Sequence, residues 1–246
     1  MDFQIELVIA RFEEDLRWIR RVPKSVRVTI YNKGESHALP PDFPRRDGME
    51  IIPLGNEGRE AGTYLRHLVG RYDSLAPITV FCQGHPFDHA PDFHGCLQTL
   101  ASGEERGVGV NSPAPFVWYG FLDETDDPHG RRLFVPWSKN PEGSELSTGL
   151  LYEELFGAAS PAIFHFRGGA QFAVSREAVR ERPLGFYQHA LELCKSIPLA
   201  AHSYERIWDR LFGEPAIDPV TLEPDGVLYR KRIRRLEGGN RERGIE

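Results

Sequence analysis

The fold is decided by residues 4–34, "QIELVIARFEEDLRWIRRVPKSVRVTIYNKG". Residues 4–12 are rich in β formers and alternate only weakly, the pattern of a buried strand. In "EEDLRWIRRV" (13–22), Leu16, Ile19 and Val22 fall at near-helical spacing. Acids crowd its first turn and arginines its last, which suits a helix dipole, and Pro23 ends it. Residues 25–34, "SVRVTIYNKG", form a second strand that stops at Asn32 and Gly34. Strand, helix, strand is a βαβ unit, and its strands should run parallel.

The same alternation continues outward. Residues 35–50 are polar and Pro-rich, a loop, and "MEIIPLG" (49–55) is a short third strand. "NEGREAGTYLRHLVGRYDSL" (56–75) is an amphipathic helix with Tyr64, Leu65, Leu68, Val69 and Tyr72 on one face. "PITVFCQ" (77–83) is the fourth strand. Four strands with intervening helices indicate an open, mostly parallel α/β sheet, in which ligands sit beyond the carboxyl ends of the strands. The loops 12–15, 31–37, 55–60 and 83–94 should therefore meet at one rim.

The second half is less regular. Residues 107–143 form a long aromatic-rich insertion containing Phe116, Trp118, Tyr119, Phe121 and Trp137. These side chains can stack on sugar rings, but ordinary core accounts for most of them. Residues 146–157 read as a helix, and 162–175 as a strand, a Gly-Gly break and a second strand. Ser175 caps a following helix that Pro183 ends, and "FYQHALELCKS" and "SYERIWDRLFG" are further helices. The reading is one domain over 1–228, with halves at about 1–100 and 101–228, and a basic tail over 229–246. That tail suits an anionic surface or simply a solvated end.

The net charge of −6 argues against general nucleic-acid binding. Cys82, Cys96 and Cys194 show neither zinc spacing nor a disulfide framework, which points to a reducing compartment. The amino terminus lacks a basic signal-peptide segment, and no apolar run approaches the roughly 20 residues that span a bilayer. The expectation is a soluble, cytoplasmic protein with no integral membrane segment.

"ELVIARFEEDLRWI", "YNKGE", "GNEGREAGTYLRHLV", "VFCQGHPFDH" and "GGAQFAVSREAVRERPLGFY" resemble, in this order, family 3431 of the domains of unknown function, across roughly residues 4–213. More distantly, "VIARFEEDLRWI", "GGAQFAVSREAV" and "HSYERIWDRLFGE" are similar to glycosyltransferases of the GT-A type. That resemblance implies a GT-A-like, Rossmann-related α/β fold with an irregular C-terminal acceptor-side half. It implies a nucleotide-sugar donor, an unknown acceptor and a divalent cation, manganese or magnesium, with zinc as the further option.

GT-A enzymes usually place Asp-x-Asp after the fourth strand, where the carboxylates hold the cation on the donor diphosphate. Here that position reads "QGHPFDH" (83–89), without the acid pair. Asp88 with His85 or His89 could substitute, since imidazole with carboxylate binds transition metals. Alternatively, Pro86 and Pro91 make a stiff turn and the histidines brace it. Glu13, Glu14 and Asp15 suit a helix start, and also a ligand at the rim, where Arg11 could pair with a phosphate.

Asn56, Gly58 and Arg59 lead into a helix amino terminus, a favourable place for an anion, although the spacing is not that of a P-loop. Arg59 is the strongest phosphate or ribose candidate because its fork is bidentate; its plainer role is a pair with Glu60 on a surface helix. Gln83 ends the fourth strand beside them. On the acceptor side stand His165, Gly168, Gly169 and Gln171, where a simple kink explains the glycines equally well. Glu205 and His202 are the candidates for the catalytic base. Two other classes stay open. A metal-dependent hydrolase could use His85, Asp88, His89 and His94, and a non-catalytic nucleotide- or carbohydrate-binding module needs no acid pair at all.

Overall fold

The computed structural model describes residues 3–34, 39–40, 42–103, 115–120, 123–131 and 144–213. Phe121, Trp137 and the basic tail lie outside them. Strands β1 (Ile5–Arg11), β2 (Val26–Asn32), β3 (Met49–Pro53) and β4 (Ile78–Gln83) run parallel in the order β3-β2-β1-β4. Two antiparallel neighbours extend this sheet, β8 (Phe172–Ser175) against β4 and then β5 (Phe116–Trp118) against β8. β6 (Asp123–Asp126) and β7 (Phe164–Arg167) form a separate antiparallel pair. The fold is the α/β class expected, a mostly parallel sheet flanked by helices with an irregular second half.

All seven residues of β1 are buried, because both faces of the sheet are covered. On one face, Val8 and Ala10 meet Tyr64, Leu65 and Leu68 of α1 (Arg59–Arg71) and an aromatic group built from Phe81, Phe172 and Trp208. On the other, Leu7 and Ile9 meet Phe93 and Leu97 of α2 (Phe93–Ser102). The register sets Phe81 beside Phe172, with ring centroids 5.1 Å apart. The remaining α-helices among the described residues are α3 (Thr148–Phe156), α4 (Arg176–Arg180), α5 (Leu184–Ser196), α6 (Ala200–Glu205) and α7 (Trp208–Leu211). Ser175 Oγ accepts from Ala178 N at 3.1 Å, which is the cap expected for α4.

Four local expectations are corrected. Residues 13–22 do not form an α-helix; the segment is a 3-10 turn over Arg17–Arg21. Asp15 is the reason: its carboxylate accepts from Arg17 N at 2.9 Å and from the Arg17 guanidinium, a local turn that competes with helix. Leu16, Ile19 and Val22 are buried nonetheless. The end of the 83–94 loop already belongs to α2, a helix absent from the sequence reading. The two strands around Gly168-Gly169 are not one kinked ribbon, since β7 pairs with β6 while β8 joins the main sheet. The last helix is broken at Ile207 into α6 and α7.

Candidate functional site

The parallel register brings the carboxyl ends of β1–β4 to one side, and a cavity of about 490 Å³ opens there. Phe12 and Glu14 follow β1, and Lys33 follows β2. Asn56, Arg59 and Glu60 lead into α1, and Gln83, His85 and Asp88 follow β4. All four loops named from the sequence thus contribute. Of the residues singled out there, Glu14, Asn56, Arg59, Gln83, His85 and Asp88 line this cavity.

Arg11 and Glu13 border a smaller hollow beside it, of about 290 Å³. Arg11 is buried, and its guanidinium donates to Asn32 Oδ1 at 2.5 Å and to the Glu14 carbonyl at 3.0 Å. It ties the ends of β1 and β2 together. Glu14 is held by accepting from Phe12 N–H at 2.7 Å. Gly84 lies against its carboxylate, so that a Cβ there would sit 2.6 Å from Glu14 Cδ.

Two charged residues of the cavity were not singled out as candidates, Lys33 and Glu60. Both are buried at the rim. Burial pushes the Lys33 ammonium down, against the opposing pull of Glu60 and Glu14. Burial pushes the Glu60 carboxyl up, although Arg59, 3.5 Å away, opposes the shift. The Arg59–Glu60 pair foreseen as a surface helix start exists, but only Arg59 is on the surface. Position carried the missed signal: Lys33 directly follows β2, and Glu60 is the second residue of α1.

The Gly168–Gln171 turn lies against the 83–89 loop. Gly169 has φ +94°, and a Cβ there would lie 2.5 Å from His89 Cγ. Its N–H donates to Glu205 Oε1, and Arg206 donates to Glu205 Oε2 at 2.8 Å. Glu205 is therefore fixed by two donors. It is close enough to Glu60, Tyr64 and His202 for its charge to act on all three. His202 is pushed down by burial and then by Arg59. Gln171 is fully buried with both side-chain amide atoms unpaired among the described residues, while Gly168 faces the Glu124 carboxyl.

His165 is placed differently, in β7, buried, with Nδ1 3.1 Å from Thr125 Oγ1. Burial, then Arg210, lowers its pKa to about 4. The neutral imidazole is thus the folded form, whereas in the unfolded chain it titrates near its ordinary 6.5. The stability this provides is complete above pH 6.5 and is lost as pH falls from 6.5 to about 4. Over that window wild-type should lose up to about 3 kcal/mol that His165→Asn does not lose, read from urea unfolding at several pH values.

His85 and Asp88 are both exposed, with Nε2 and Oδ1 3.7 Å apart. His94 is turned inward: its Nε2 lies 3.2 Å from the Trp18 carbonyl and its ring stacks on Phe87. Trp18 in turn donates to the Gly84 carbonyl at 2.9 Å. No group of three or more His, Cys, Asp or Glu among the described residues is arranged to hold a metal ion. The His85–Asp88 pair is too few ligands for a cation held by the protein alone.

Fold and cavity together define an α/β protein with a charged rim cavity at the carboxyl ends of its parallel strands. The chain belongs to the family described as "Protein of unknown function (DUF3431)", whose profile matches residues 7–100 and 128–221. No curated protein matches it. Among solved structures, CMP:2-keto-3-deoxy-manno-octonic acid synthetase complexed with CTP is similar at TM-score 0.35 and 14% identity, covering 93% of this chain and 98% of that one. Among the described residues, no helix is long and apolar enough to cross a membrane.

Proposed function

We propose that this protein is a glycosyltransferase that takes its sugar from a nucleotide-diphosphate donor. One observation carries the reading: the rim cavity sets Lys33 and Arg59 beside the amino terminus of α1, and Asn56 and Gln83 with them. Cations beside a helix amino terminus in one hollow favour a diphosphate. The GT-A resemblance of the sequence supports the same assignment. The donor phosphates would lie near Arg59 and the 83–89 loop, and the acceptor near Gly168–Gln171.

In the reaction, an acceptor hydroxyl oxygen attacks the anomeric carbon. The bond from that carbon to the diphosphate oxygen breaks, and its electron pair leaves with the diphosphate. Lys33 and Arg59 offset the charge that develops there. Glu205, oriented by Gly169 N–H and Arg206, takes the hydroxyl proton. Glu205→Gln should then keep donor binding and lose turnover. A cation would need phosphate oxygens in addition to His85 and Asp88, and no step here is assigned to it.

The test is a thermal-shift series with UDP, GDP, CDP and TDP sugars, with and without manganese. One nucleotide at 100 times its Kd should add about 2.7 kcal/mol, or roughly 5–10 °C in Tm. Lys33→Ala and Arg59→Ala should each remove most of that shift. A shift that needs manganese and is lost in Asp88→Ala would make the histidine loop a divergent metal site. A shift without metal would make it a direct phosphate contact. No shift with any nucleotide, but one with zinc alone, would overturn the transferase and favour the hydrolase.

A further inference from the structure

Behind Arg59 lies a second cavity, of about 410 Å³. Its wall is formed by the start of α1, the end of α5 and the turn into α6. Its charged lining is one-sided: Arg59, Lys195 and His202 face it beside the Cys194 thiol, and no carboxylate among the described residues does. Its floor is apolar, built by Ile197, Pro198, Leu199 and Ala201. Leu199 is among the few large apolar residues left exposed in the described chain. The first cavity is different, because Glu14, Glu60 and Asp88 line it alongside its cations. Arg59 is common to both.

We infer that this second cavity binds a phosphate monoester carried on an apolar chain, with Arg59 and Lys195 on the phosphate and the 197–201 turn under the chain. A phosphate entering here finds two cations and no carboxylate in the wall, Glu60 pairing with Arg59 from the side of the first cavity, and the apolar floor rewards a ligand with methylenes next to its charged group. Because Arg59 is shared, such a ligand would sit beside the donor site, with Glu205 three residues beyond His202 on α6. That the ligand supplies the acceptor hydroxyl, reaching from this cavity toward Gly168–Gln171 and Glu205, rests on the transferase reading; that the cavity takes it does not.

Calorimetric titration with inorganic phosphate and with octyl phosphate tests the site. Burial of only two methylenes makes octyl phosphate at least tenfold the tighter ligand. Lys195 is exposed and outside the first cavity, so Lys195→Glu leaves the fold and nucleotide binding intact. It should weaken octyl phosphate about tenfold or more, and Lys195→Ala should weaken it less. Arg59→Ala should weaken both octyl phosphate and nucleotide. An independent readout is the histidine carbon–proton NMR spectrum, with His202 assigned by His202→Gln. Burial holds the His202 imidazole down, and Arg59 and then Arg206 add to it while Glu205 acts against them, so an anion bound at Arg59 should move its titration to higher pH.

No binding of octyl phosphate, or binding indifferent to Lys195→Glu with His202 unmoved, would overturn the inference. Inorganic phosphate binding as tightly as octyl phosphate would overturn the apolar chain and point to a soluble phosphate. Nucleotide binding without octyl phosphate binding would sink this site alone. Octyl phosphate binding that depends on Lys195, without any nucleotide binding, would support the site and leave the transferase reading to fall by itself.

Discussion

Arg206→Met is expected to cost about 3–5 kcal/mol of stability, a large share of what holds a domain folded. Arg206 is 2% exposed. Its Nε donates to Asp126 Oδ2 at 2.9 Å, and its Nη1 donates to the His202 carbonyl at 2.6 Å and to Glu205. The guanidinium also lies over the Phe166 ring, 4.7 Å from its centroid. Asp126 has no solvent exposure at all. Methionine keeps the length and apolar stem but leaves that carboxylate buried without the cation bonded to it. Urea unfolding followed by both circular dichroism and fluorescence gives the loss and checks two-state behaviour. Arg206→Met with Asp126→Leu should recover much of it, because an apolar pair can replace a buried ion pair at little cost. A single-variant loss below about 1 kcal/mol would mean that other neighbours of Asp126 carry its charge.

Arg206 also shows what the sequence could and could not disclose. In "HSYERIWDR" it looks like one more arginine on a solvated helix, and the reading gave weight to its neighbour Glu205. Its partner Asp126 sits 80 residues away in a strand that carries no β signature. Contacts of that separation leave no local pattern. The first half was far more legible. β1 to β4 are written as short apolar runs bounded by turn residues, and a parallel order follows once helices separate them. That placed the rim loops together, and with them Glu14, Asn56, Arg59, Gln83, His85 and Asp88.

The misses have physical causes of the same kind. In "FEEDLRW" the acids suit a helix start, but an Asp side chain that bonds its own local backbone favours a turn instead. α2 has apolar residues at 93, 97 and 100, spaced for one face, yet two prolines and two histidines just before it, with a third histidine in its first turn, made the whole stretch read as loop. The burial of Lys33 and Glu60 depends on how α1 docks on the sheet, which no spacing records. The Gly-Gly break announced a close approach. It did not announce that the chain leaves one sheet there and enters another.

That crossing point sets up the other large effect. Gly169→Ala should destabilise by about 4 kcal/mol, whereas Gly168→Ala, one residue earlier, should be nearly silent. Gly168 has no left-handed backbone, and a Cβ on it would meet the Glu124 carboxyl at 3.4 Å, an ordinary contact. Gly169 has φ +94°, where a side chain is strained by about 1–3 kcal/mol whatever the space. Its Cβ would also run into Gln171 Oε1 and into His89, lying 2.5 Å from Cγ. The Gln171 amide can rotate. The His89 Cβ, fixed to its own backbone, cannot, so the 83–89 loop must move away from the turn that orients Glu205. The double variant Gly169→Ala with His89→Gly separates the two costs, since it removes the clash and keeps the backbone strain. If it regains about half of the lost stability, the turn and the loop are pressed together as described. If it regains nothing, the backbone alone demands glycine, and the 83–89 loop is free to move independently of the Gly168–Gln171 turn.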